Sequence, residues 1–121
     1  MQRLIGLAVF VMLWPALAAA QQLSRVKLTP AQLDLVQHDV RAALKTDPAS
    51  AQFGNIVAGI KSPEVTYVCG LLNSRNAGGD YTGLQPFIGI LGKKQDGSLG
   101  FLPMAVGDVA GQQCATRGLT P

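Results

Sequence analysis

The chain has 121 residues, 48% of them apolar and 14% charged, with ten basic residues against seven acidic and a formal net charge of +3. The basic residues are scattered, only Lys93 and Lys94 are adjacent, and no aromatic residues interleave them, which excludes the concentrated basic stripe of a nucleic-acid groove. A single histidine and two far-separated cysteines lack the paired spacing of a zinc site.

Residues 1–20, MQRLIGLAVFVMLWPALAAA, place one positive charge at Arg3 ahead of an apolar run from Leu4 to Leu17 and end in three alanines. This is the order of a secretory signal peptide with an A-x-A cleavage site. The run is shorter than the roughly 20 residues that span a bilayer, so cleavage after Ala20 is expected in preference to an uncleaved anchor. The exported chain would be one small domain, 21–121, with no stable membrane insertion. Removing Arg3 leaves nine basic residues against seven acidic, a charge of +2.

The lead-in 21–28 has no clear period and is expected to be mobile. A helix start follows, because Thr29, Pro30 and Gln32 supply an N-cap, a first-turn proline and a capping-box partner. Leu33, Val36, Val40 and Leu44 then recur at steps of three and four, an apolar stripe along one helix. Asp47 stands before Pro48 and is pushed out of the helical region, so the helix stops by Thr46.

Beyond this point Gly, Pro, Asn and Ser recur every few residues and the apolar positions turn β-branched or aromatic. Strands are expected at 52–60, 65–72, 87–91 and 99–106. In the second, Val65, Tyr67, Cys69 and Leu71 share one face, while Thr66, Val68, Gly70 and Leu72 share the other. Lys61-Ser62-Pro63 turns the first strand into the second, and Asp96-Gly97 turns the third into the fourth. The first strand carries Gly54, Asn55 and Gly59, all poor strand formers. The tail from Ala110 is weakly patterned. Together these elements predict an α+β fold, one N-terminal amphipathic helix packed on a four-stranded antiparallel sheet.

Cys69 and Cys114 permit one intramolecular pairing in an oxidising compartment. Closing a loop of about 46 residues would be worth roughly 4 kcal/mol in the chain-entropy model, a large share of a small domain's stability. Two free thiols or an intermolecular link are the alternatives.

Two stretches resemble known sequences. DPASAQF, from Asp47 to Phe53, resembles the DP-x-S-A-x-F step of a family of small exported bacterial proteins. Residues 69–87 are similar to the family's second signature, CG-x-x-N-x-x-N-x-G-G-x-Y-x-G-x-x-x-F, with nine of nineteen positions fixed. The resemblance covers most of the exported chain. It implies a periplasmic or secreted domain and brings no catalytic residues to transfer.

The long polar loop after Cys69 is where binding residues are expected to collect. Asn73, Arg75, Asn76, Asp80 and Tyr81 are the candidates, with Arg75 and Tyr81 as anchors of the kind that dominate interfaces. Asn73 and Asn76 would shape the loop through Asx-turns. Calcium fits poorly, since Asn73, Asn76 and Asp80 miss the 1, 3, 5 ligand spacing and Leu84 stands where a glutamate is needed. No cofactor or metal is expected. The first functional expectation is therefore a non-catalytic domain binding an envelope protein or cell-wall glycan. The rivals are a small hydrolase or thiol enzyme using Cys69, His38 and Asp34 or Asp80, and a structural envelope protein with no discrete site.

Overall fold

The computed structural model describes residues 23–121; the expected signal peptide and its cleavage site lie outside the described residues. The architecture is α+β, with a sheet of five antiparallel strands in the order β1-β2-β3-β4-β5 and a helix on each face. The strands are β1 (Ser24–Val26), β2 (Gln52–Ser62), β3 (Val65–Asn73), β4 (Gln85–Lys93) and β5 (Leu99–Val106). The helices are α1 (Pro30–Ala43) and α2 (Asp108–Thr116).

The expectation of four strands and one helix is corrected at both ends. Residues 24–26 form β1, pairing with 58–60 of β2, because β2 presents an unpaired edge whose backbone groups need partners. The tail forms α2, which is fastened to β3 by the Cys69–Cys114 disulfide.

α1 begins as its sequence dictates. The Gln32 N–H donates to Thr29 Oγ1 (3.2 Å) and the Thr29 N–H donates to Gln32 Oε1 (2.9 Å), completing the capping box. Val36 and Val40 are buried, and Leu33 and Leu44 pack partly buried beside them. The helix closes at Ala43, with the Leu44 N–H bonded back to the Arg41 carbonyl at 3.1 Å.

The strand alternation divides the core in two. Val68, Leu72, Phe87, Leu91 and Phe101 join Val36 and Val40 of α1 in one cluster. Tyr67, Cys69 and Ile88 join Ala110 and Cys114 of α2 in the other. On the α1 face, Phe53, Phe87 and Phe101 meet edge to face at centroid separations of 6.0 and 6.4 Å. Room for these rings comes from Gly70 and Gly89, where any Cβ would collide with Phe87 and Phe101 respectively. The Arg41 guanidinium lies 5.1 Å from the Phe53 centroid, tying α1 to the same cluster.

β2 is the longest strand despite its glycines, because its pairing with β3 slips by one residue between Phe53 and Ile56 and again between Ile60 and Ser62. Such bulges absorb residues unsuited to a regular ladder. A third slip, at Met104 of β5, lies opposite Ile88 and Gly89. The outer edge of β5 is guarded: Asp39 Oδ2 of α1 accepts the Phe101 N–H at 3.1 Å, and Pro103 has no N–H to offer. In the β4–β5 turn, the Ser98 N–H (2.9 Å) and hydroxyl (2.6 Å) both donate to Asp96 Oδ1. The Ser98 hydroxyl, with its backbone N–H, holds the Asp96 carboxyl below its ordinary range.

Candidate functional site

Residues 74–84 connect β3 to β4 and fold back on themselves. Arg75 and Tyr81 form a bridge, the Asn76 N–H donates to the Asp80 carbonyl (2.8 Å), and the Thr82 N–H donates to the Ser74 carbonyl (3.1 Å). Asn76 Oδ1 closes the tip by accepting the N–H groups of Gly78 (3.0 Å) and Asp80 (3.2 Å), an Asx-turn. Gly79 takes a positive φ of 84°, open to glycine at no steric cost. At the base, Asn73 Oδ1 accepts the Gly83 N–H (3.0 Å). Asn73 and Asn76 therefore spend their side-chain oxygens on the loop's own backbone.

The loop is docked on a second segment. After α1 the chain makes a short 3-10 turn, Pro48–Ser50, entered through Asp47 in the left-handed region at φ 40°. Ser50 is the hinge of the contact. Its Oγ donates to the Asp47 carbonyl (2.7 Å) and accepts the Arg75 N–H (3.0 Å), while its carbonyl accepts from the Tyr81 hydroxyl (3.2 Å). The Thr46 hydroxyl donates to the Arg75 carbonyl at 3.2 Å. The two stretches singled out in the sequence, 47–53 and 69–87, thus hold each other in space.

On the outer side of this junction, the Arg75 guanidinium stacks over the Tyr81 ring at 5.1 Å and stands 3.9 Å from the Asp47 carboxylate. Arg75 and Asp47 are about half exposed, at 48% and 46%, and Tyr81 is 42% exposed. An ion pair this exposed contributes under about 1 kcal/mol. Its larger effect is to hold a half-exposed guanidinium over a half-exposed ring. Such a pair can give charge-assisted hydrogen bonds to a carboxylate or phosphate, and its ring and guanidinium planes can stack on an apolar or sugar face. Asp80 is exposed beside it.

Among the five candidate residues, the structure brings Arg75 and Tyr81 together on the surface, sets Asn73 at the base and the exposed Asn76 at the tip as braces of the loop backbone, and uses the Asp80 backbone in the turn. Sequence reasoning missed Thr46, Asp47 and Ser50. The signal was present in a run of short polar residues around Pro48 between helix and strand, the composition that bonds backbone rather than building a core.

The Cys-His arrangement is not assembled among the described residues. Cys69 is buried in a disulfide with Cys114, so its sulfur offers no thiolate. His38 lies on α1, across the sheet from Cys69; its side chain is 79% exposed, and Nδ1 lies 3.1 Å from Asp39 Oδ1. No group of three or more His, Cys, Asp or Glu residues that could hold a metal ion occurs among the described residues. No described helix is long and apolar enough to cross a membrane. No family model, curated protein or solved structure matches the chain.

Proposed function

We propose that this protein is an exported, non-catalytic domain that binds a second envelope component, a protein or a cell-wall glycan, through the surface built by the 73–85 loop and the 46–50 turn. The observation that carries the reading is the Arg75–Tyr81 stack: a half-exposed guanidinium and ring on a loop braced by Asn73, Asn76 and Ser50. A surface that is ordered before binding loses little freedom on contact, which favours recognition. The Cys69–Cys114 bond fits an oxidising compartment, the periplasm or the medium. The chemistry needs neither cofactor nor metal, and the resemblance to small exported proteins points the same way.

The test is retention on purified peptidoglycan and capture of envelope proteins, comparing the wild type with the Arg75→Ala, Tyr81→Ala pair. Retention is expected to fall at least about tenfold, as for interface anchors. The thermal midpoint should drop by no more than about 8 °C, the shift that about 1 kcal/mol gives a domain this size. If the pair unfolds the domain, the loop is scaffold and the reading is wrong.

A further inference from the structure

The sheet face under α2 gathers cations at one corner. Arg25, Gly59 and Tyr67 share a cross-strand row, and the tail after α2 crosses it, since a Cβ at Gly59 would meet Leu23 and Leu119. Arg25 donates from Nη2 to the Gly118 carbonyl at 2.8 Å. Arg117 donates from Nη1 to the Gln113 carbonyl at 3.0 Å, and its guanidinium lies 4.4 Å from the Tyr67 centroid. Lys61 Nζ stands 5.8 Å from the same centroid. Two cations therefore share one ring, and a third is tied to the residue that follows Arg117. Each guanidinium spends one N–H on the backbone, which fixes its position and leaves its other donors unspent.

The charge of this corner has no counterweight. The ion pairs among the described residues involve Asp39 and Asp47, and none reaches Arg25, Lys61 or Arg117. Glu64, the acid nearest to Lys61 along the chain, lines a cleft with Gln32, Thr66, Leu91 and Lys93. Asp108 stands at the opposite end of α2. Without these three cations the described chain has six basic residues against seven acidic, so the domain's excess positive charge lies here. Like charges held around one ring repel, and an anion among them turns that repulsion into attraction.

We propose that this corner binds a phosphomonoester dianion, held by the Lys61 ammonium and the Arg117 guanidinium with Arg25 as the third cation. One guanidinium fork satisfies a carboxylate, whereas a dianion with three terminal oxygens draws donors from several groups. The same phosphate chemistry is offered by a soluble ester and by a lipid headgroup. The site is separate from the Arg75–Tyr81 surface and does not depend on it.

The test is titration of the oxidised protein with glycerol 3-phosphate at constant ionic strength, followed by amide NMR shifts. Beside it runs sedimentation with phosphatidylcholine vesicles that carry or lack phosphatidic acid. Saturable shifts are expected at Lys61, Tyr67, Arg117 and Gly118, with half-saturation at or below about 1 mM. Acetate should bind several-fold more weakly. Lys61→Gln and Arg25→Gln should each weaken binding several-fold, and Lys45→Gln, just beyond α1, should leave it unchanged. Should Arg25→Gln loosen the tail, Lys61→Gln against Lys45→Gln still decides. Shifts with the soluble ester identify a soluble ligand; sedimentation with phosphatidic acid alone, lost in Lys61→Gln, identifies a headgroup. Four results would overturn the proposal: no response of this corner to either probe, equal binding of acetate, saturation only far above millimolar, which marks an adventitious ion only, or binding that Lys61→Gln weakens no more than Lys45→Gln.

Discussion

On one face of the sheet, α1 lays fourteen residues against a cluster containing Phe87 and Phe101; on the other, α2 brings nine residues and a covalent bond. α1 has a reciprocal capping box and a continuous apolar stripe. α2 starts after Gly107 with no side-chain cap and contains Gly111, Gln112 and Gln113. Gln113 Oε1 is buried with no hydrogen-bond partner among the described residues, a cost of about 1–3 kcal/mol. A helix that buries two valines fully and several leucines partly can be held by burial alone. A short helix with two buried small residues, Ala110 and Cys114, cannot gain as much, and its disulfide removes the entropy that would otherwise release it. The two faces thus teach that coverage of a small sheet is reached by different routes, by packing alone under a long helix and by a covalent bond under a short one.

The largest test of this contrast is Phe87→Ala. Phe87 is 1% exposed and touches both other rings of its cluster, so truncation should cost about 3–5 kcal/mol in denaturant unfolding. A loss under 1 kcal/mol would mean that the α1 face is not held by packing. Next comes the double variant Cys69→Ala, Cys114→Ala. It should lose roughly 4 kcal/mol by the loop-closure estimate. Native-state hydrogen exchange should reveal α2 opening while β3, β4 and α1 stay protected. Equal loss of protection in both helices would break the comparison, because the disulfide would then support the whole fold. The smallest effect sharpens it: Thr29→Ala removes the α1 cap and should cost about 1 kcal/mol, with faster exchange in the first turn of α1 and none in α2.

Much of this was legible in the residues. Thr29, Pro30 and Gln32 announce α1, and the valines at 36 and 40 choose its buried side, because capping and a 3.6-residue period are local properties. The alternation 65–72 assigned both faces of β3 before any partner was known, since a pleated strand must alternate. Asp96-Gly97 marked its turn, and Gly97 does take φ 84°. With two cysteines in the chain, only one internal disulfide was open.

Other features have no local code. Ser24–Val26 carries no period and is a strand because β2 offers it an edge. Residues 108–116 become helical because Ala110 and Cys114 reach a buried place on the Cys69 and Ile88 side of the sheet. Ser50 meets Arg75 and Tyr81 across 25 and 31 positions of chain, through side-chain-to-backbone bonds whose polar composition around Pro48 is legible but whose distant partners are not. Gly92 and Gly100 face each other because register pairs them, and the Lys94 stem lies over Gly100. Periodicity and capping act over a few residues and are written in order along the chain; edge pairing, docking and register depend on which distant segments arrive beside one another, and only the folded sheet decides that.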